Sequence, residues 1–223
     1  MGTSKSSHSS IIPLWYEQAS YIKWVYENKD NCPNTAIEHG AKISLIGMFC
    51  SLIEGVSAYV LIENLRTNPD LVLTTERSVL IDEVNDATWG KYDCLFKMVF
   101  KRNMSYYVKR HKANIDVLFK FRNSLLHGNA LIVKKEFDGS ENTISLDRKN
   151  YKEVFDFFKR KKVITGNIDC APNLLLADKV MNYFLDETTR FIDLLNQSVL
   201  VDDSSRKIIN DHILINLQSI LKK

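Results

Sequence analysis

The stretch Phe121-Arg122-Asn123-Ser124-Leu125-Leu126-His127-Gly128-Asn129 sets a permanent cation, a carboxamide and an imidazole within one short run. A guanidinium stays charged at physiological pH and forks onto carboxylate or phosphate oxygens. An imidazole titrates near neutrality, so it can take up and return a proton. Asn123 and His127 are four residues apart and share one face of a helix, where they can orient each other. Gly128 supplies the residue that ends many helices in a left-handed turn. His127 then belongs to the last turn, where the helix dipole favours its protonated form.

The spacing of Ile115, Leu118, Phe119, Arg122, Leu125 and Leu126 is that of a core-facing helical stripe, so Arg122 stands where an apolar residue is cheaper. A cation there needs a carboxylate, a phosphate or water to offset its desolvation. Glu54 is the only charged residue between Lys42 and Glu63, and it is the internal candidate for that partner. Two readings follow. Arg122 and His127 form a chemical site, or Arg122 is neutralised structurally by Glu54 and His127 caps a helix.

The elements that must position these groups are mostly helical. Aromatic-rich 14–28 reads as a helix closed by the turn-like 28–34. A second helix, capped by Thr35 or a neighbour, runs to about Arg66 and is apolar nearly all round, as a central helix is. Within it Ser44, Gly47, Ser51, Gly55 and Ala58 recur at spacings of three and four, a stripe that permits close approach by a neighbouring helix. Residues 43–62 are interrupted by Glu54 and several Gly and Ser, which favours a buried core helix over a membrane span. Helices are expected at 75–86, 92–101, 105–127, 151–162, 173–198 and 204–221. Near 130–147, two strand-like runs flank Asp138-Gly139-Ser140-Glu141, a hairpin signal. The expectation is one mostly α domain over 14–223 with a small β-hairpin insertion, behind a flexible leader at 1–13.

The 223-residue chain is 45% hydrophobic and 26% charged, the composition of a soluble globular protein. A net charge of +3 says little, but its distribution is uneven. Residues 97–122 carry eight Lys or Arg against the single acid Asp116, and 63–93 carry seven acids against three bases. Cys32, Cys50, Cys94 and Cys170 are scattered without a C-x-x-C pair or histidines at ligand spacing, so no zinc site is expected and the cytoplasm is the default compartment. Gly2 and Ser6 fit a short myristoylation pattern, which supports a weaker reading as a lipid-anchored helical adaptor.

Arg122-Asn123-Ser124-Leu125-Leu126-His127 resembles the R-x4-6-H signature of the HEPN superfamily of all-α domains. The context is similar too: the motif closes a long helix, an earlier long helix holds a lone acid, and more helices follow. The resemblance implies an HEPN-like antiparallel helical bundle and a metal-independent endoribonuclease, working as a homodimer with two motifs facing one cleft. On that resemblance His127 moves the proton in 2′-hydroxyl attack on the adjacent phosphate. Arg122 neutralises the phosphorane-like transition state, and Asn123 holds the imidazole or the phosphate. No cofactor is implied, and no acidic cluster suited to paired magnesium ions is evident. Dependence on the 2′-hydroxyl restricts cleavage to RNA.

The resemblance further implies a toxin or effector of prokaryotic antiphage defence or of a toxin–antitoxin pair, restrained by a partner protein. A tyrosine found two residues after the histidine in one subfamily is Asn129 here, so regulation through it is not expected. Lys109, Arg110 and Lys112, with Tyr106 and Tyr107 as stacking rings, are the first candidates to carry RNA. Lys159-Arg160-Lys161-Lys162 is the second basic segment. The alternative from a different class is a non-catalytic HEPN-like module for binding or dimerisation.

Overall fold

The computed structural model describes residues 15–68, 70–126, 133–138, 141–146 and 149–222. The leader at 1–13, with Gly2 and Ser6, and the stretch from His127 to 132 lie outside the described residues.

Helix α1 (Trp15–Asn28) passes through a 3₁₀ turn, Lys29–Asn31, into the central α2 (Thr35–Thr67). The cap of α2 is Asn34, the neighbour of Thr35: its side chain accepts the Ile37 amide at 3.0 Å, satisfying one of the free donors of the first turn. Asn64 steadies the other end, donating to the Leu200 carbonyl at 2.6 Å. By length and composition α2 could cross a membrane, but its buried residues, from Lys42 to Leu65, are spread around its circumference. Helices α1, α3 (Thr74–Asn85), α4 (Trp89–Phe100), α6 (His111–Leu126) and α9 (Asp178–Asn196) cover it from several sides. The first part of its small-residue stripe is open among the described residues, while Ala58 further along packs against the core. Ser44 and Ser51 are exposed, and a Cβ on Gly47 would meet nothing within 4 Å.

Three long helical expectations are interrupted. The segment expected at 105–127 is split into α5 (Met104–Val108) and α6, because Lys109 adopts φ 54° and ψ −136°. The turn lets His111, first in α6, reach Glu187 on α9, with Nδ1 2.6 Å from Oε2 and both side chains buried. The segment expected at 173–198 breaks after α8 (Ala171–Leu175), where Ala177 is extended. That break puts Asp178 in the first turn of α9, where it binds Lys29 at 2.7 Å and Lys42 at 3.0 Å and ties α2 to α9. The last helix runs as α10 (Asp203–Ile209), a π-helical turn Asn210–Leu214, and α11 (Ile215–Leu221).

Between α6 and α7 (Lys149–Arg160), Val133–Asp138 and Glu141–Leu146 pair antiparallel with Val133 opposite Leu146. The rest of the described chain is helices and their connections. The core is continuous and rich in aromatics: Phe121, Phe158 and Phe184 pack together from α6, α7 and α9, while Trp89, Phe119 and Phe191 join α4, α6 and α9.

Candidate functional site

Arg122 lies in the last turns of α6 and its side chain is 26% exposed. Its Nη2 donates to Glu54 Oε2 at 3.3 Å, and its Nη1 donates to Asn123 Oδ1 at 2.9 Å. The guanidinium carbon stands 5.5 Å from the centre of the Phe119 ring, a cation–π contact one turn back on the same helix. The partner named for Arg122 from sequence is thus the one found. The pair is not sealed, because Glu54 also keeps 22% of its side chain exposed.

The stripe runs as expected as far as Arg122, then weakens. Leu125 is half-buried and Leu126 is 57% exposed, while Phe121 and Ser124, which the stripe omitted, are buried. Near its end the helix packs on its Phe121 and Ser124 side, and Leu126 is left largely exposed among the described residues. Asn123 is exposed, and its amide oxygen is engaged by Arg122. His127, the remaining member of the motif, is outside the described residues, as is Gly128.

Glu54 does two jobs. Oε2 meets Arg122, and Oε1 accepts the backbone N–H of Trp89 at 3.0 Å, in the first turn of α4. Thr88, before it, makes no side-chain cap, so the carboxylate from α2 takes over that role and interacts favourably with the helix dipole. Burial pushes the Glu54 carboxyl above the ordinary carboxylate range, opposed by Arg122 and the Trp89 N–H. The buried Cys50 thiol, one turn earlier on α2, is likewise raised by burial, with Arg122 acting in the opposite direction.

Trp89 is the hub that sequence reading missed, since the helix was expected to begin only at Tyr92. Its indole stacks on Phe119 with centroids 4.4 Å apart and planes 3° from parallel. Nε1 donates to Asp116 Oδ1 at 2.6 Å, and Lys112 Nζ lies 4.8 Å over the ring while pairing with Asp116 at 2.7 Å. The signal for Asp116 was present: it is the lone acid among eight bases. Lys112 is therefore turned inward, to Asp116 and Trp89, rather than standing free beside Lys109 and Arg110. These two are exposed in the turn before α6 and have no carboxylate in ion-pair range among the described residues. They precede the first residue of α6, which stands about 17 Å from Arg122 along the helix axis at 1.5 Å per residue.

The two tyrosines divide. Tyr106 is 62% exposed with Arg102 5.1 Å over its ring, so one face can still take a base. Tyr107 is half-buried, with Phe96 and Phe100 each 6.1 Å away, and belongs to the core. In the second basic segment, Lys159 and Arg160 line a groove of about 620 Å³ between α6 and α7 together with Lys120, Glu153 and Asp156. That groove does not include Arg122. Among the described residues no group of three or more His, Cys, Asp or Glu side chains is placed to hold a metal ion, and all four cysteines are free.

No family model, no curated protein and no solved structure matches this chain.

Proposed function

We propose that this chain is a metal-independent endoribonuclease of the HEPN type, cleaving RNA by attack of a 2′-hydroxyl on the adjacent phosphate. The observation that carries this reading is Arg122: a guanidinium a quarter exposed in the last turns of α6, turned by Asn123 and held to Glu54 by a 3.3 Å contact. Such a group can reach a phosphate and stabilise the charge that develops on it. His127, the next residue past the described end of α6, would move the proton. Exposed Lys109, Arg110 and Tyr106 at the far end of the helix offer backbone contacts and a stacking face to single-stranded RNA. A homodimer would bring two such helix ends to one cleft within an HEPN-like bundle. The biological setting we propose is a toxin or effector of prokaryotic defence, or of a toxin–antitoxin pair, acting in the cytoplasm under a restraining partner.

The Arg122–Glu54 pair favours a second reading, a non-catalytic helical module for binding or dimerisation, because it already neutralises the arginine. Purified protein incubated with mixed RNAs in EDTA separates the two. Cleavage that leaves 2′,3′-cyclic phosphate ends and is lost in both Arg122→Ala and His127→Ala is the expected outcome. RNA left intact, or cleavage indifferent to either substitution, refutes the ribonuclease.

A further inference from the structure

We infer that Glu54 is a positioning residue that occupies Arg122 in the resting protomer and yields it to a phosphodiester, the carboxylate remaining on the first turn of α4 when the exchange occurs. This rests on the ribonuclease reading for the identity of the phosphodiester.

Both members of the pair have somewhere else to go. Charge-assisted N–H···O bonds usually close to about 2.7–2.9 Å and arginine usually engages a carboxylate through two of them. Here one nitrogen meets one oxygen at 3.3 Å. Withdrawing a cation from a half-buried carboxylate is normally costly, because the remaining charge is left uncompensated. Glu54 avoids that cost: its other oxygen keeps the Trp89 N–H at 3.0 Å, beside the positive end of the α4 dipole. Arg122, for its part, keeps the Phe119 ring below it and the Asn123 amide oxygen at 2.9 Å, which hold the guanidinium at the surface when Glu54 is no longer its partner. A phosphate oxygen arriving from solvent therefore replaces the Glu54 contact while the Phe119 and Asn123 contacts stay in place.

The groups facing the Glu54 carboxylate are Arg122 from α6, the Trp89 amide and the Tyr92 hydroxyl from α4, and the Cys50 thiol from α2. Arg122 is the sole cation among them. Burial holds the Glu54 carboxyl above its ordinary range, so acid protonates it early and frees Arg122 by a second route.

The test uses the full chain and a 2′-O-methyl oligoribonucleotide, which presents phosphodiesters but lacks the nucleophile. Glu54→Gln is nearly isosteric, and its amide oxygen still accepts the Trp89 N–H, so the fold is retained and a thermal melt checks it. The substitution should tighten binding by about threefold to tenfold, the scale of a partly screened ion pair that no longer competes. The gain should vanish when Arg122→Gln is added. It should also shrink as pH falls, because protonated Glu54 then does what glutamine does. Equal binding by wild type and Glu54→Gln, no binding by either, or a gain that survives loss of Arg122 overturns the exchange. Cleavage of ordinary RNA that depends on Arg122, without tighter binding by Glu54→Gln, leaves the ribonuclease standing and removes the exchange. Arg122-dependent tightening without cleavage by any variant does the reverse.

Discussion

Replacing Trp89 tests how the site is held up. The residue is 7% exposed, stacks flat on Phe119, meets Phe191 edge-on at 5.8 Å and donates its indole N–H to Asp116. A buried tryptophan removes about 150–250 Å² from water. At about 25 cal/mol per Å² that is about 4–6 kcal/mol, an upper bound because the unfolded chain already hides part of this area. Trp89→Ala should therefore cost about 3–5 kcal/mol, the usual range for deleting a core aromatic. Trp89→Phe keeps a ring on Phe119 and loses the indole N–H. Asp116 still has Lys112 at 2.7 Å, so it is not left unpaired, and the loss should stay near the low end of a charge-assisted hydrogen bond, about 1.5 kcal/mol. For a chain of this length each kcal/mol moves Tm by about 2–4 °C, which gives a drop of about 6–20 °C for alanine and about 3–6 °C for phenylalanine. Urea unfolding followed by circular dichroism at 222 nm, with Tm from the same signal, measures both. Comparable losses in the two variants would refute the stacking account and put the stability in the Asp116 hydrogen bond. An alanine loss below about 1 kcal/mol would mean that Trp89 is not buried as described.

Two further outcomes are accessible to the same assays. Removing one member of the buried His111–Glu187 pair, by His111→Leu or Glu187→Leu, should cost about 3–5 kcal/mol, and the double replacement should recover much of that; additive losses would show that the two do not act as a pair. The second concerns pH. Glu54 is raised in the folded state, so its neutral form is the one that folding favours, and its contribution is full below the unfolded carboxylate pKa and falls as pH rises through the folded value. Arg122→Met removes the cation that opposes this, so the variant should lose stability relative to wild type as pH rises from the acid range towards neutrality; a pH-independent difference would show that Glu54 does not feel Arg122.

Much of the site can be read in the residues alone. A helix apolar nearly all round announces a central element, and a single acid within it, Glu54, is the natural partner for a single arginine on another helix's apolar stripe; they meet at 3.3 Å. Helical periodicity carries that far because it depends on neighbours three and four residues apart. Helix ends and the partners of polar groups depend on residues distant in sequence, and there the tertiary structure decides. The expected long motif helix breaks at Lys109 because His111 finds Glu187, 76 positions away. The start of α4 moves back to Trp89 because Glu54, Asp116 and Phe119, from two other helices, hold its amide, its indole N–H and its ring face. Lys112 turns inward for the same reason, leaving Lys109 and Arg110 as the open cations of that segment among the described residues. Composition and spacing alone determined that the chain is helical and where its unusual arginine stands. Packing decided what that arginine touches: a carboxylate has a fixed reach, and only the crossing of α2 with α6 brings Glu54 within it.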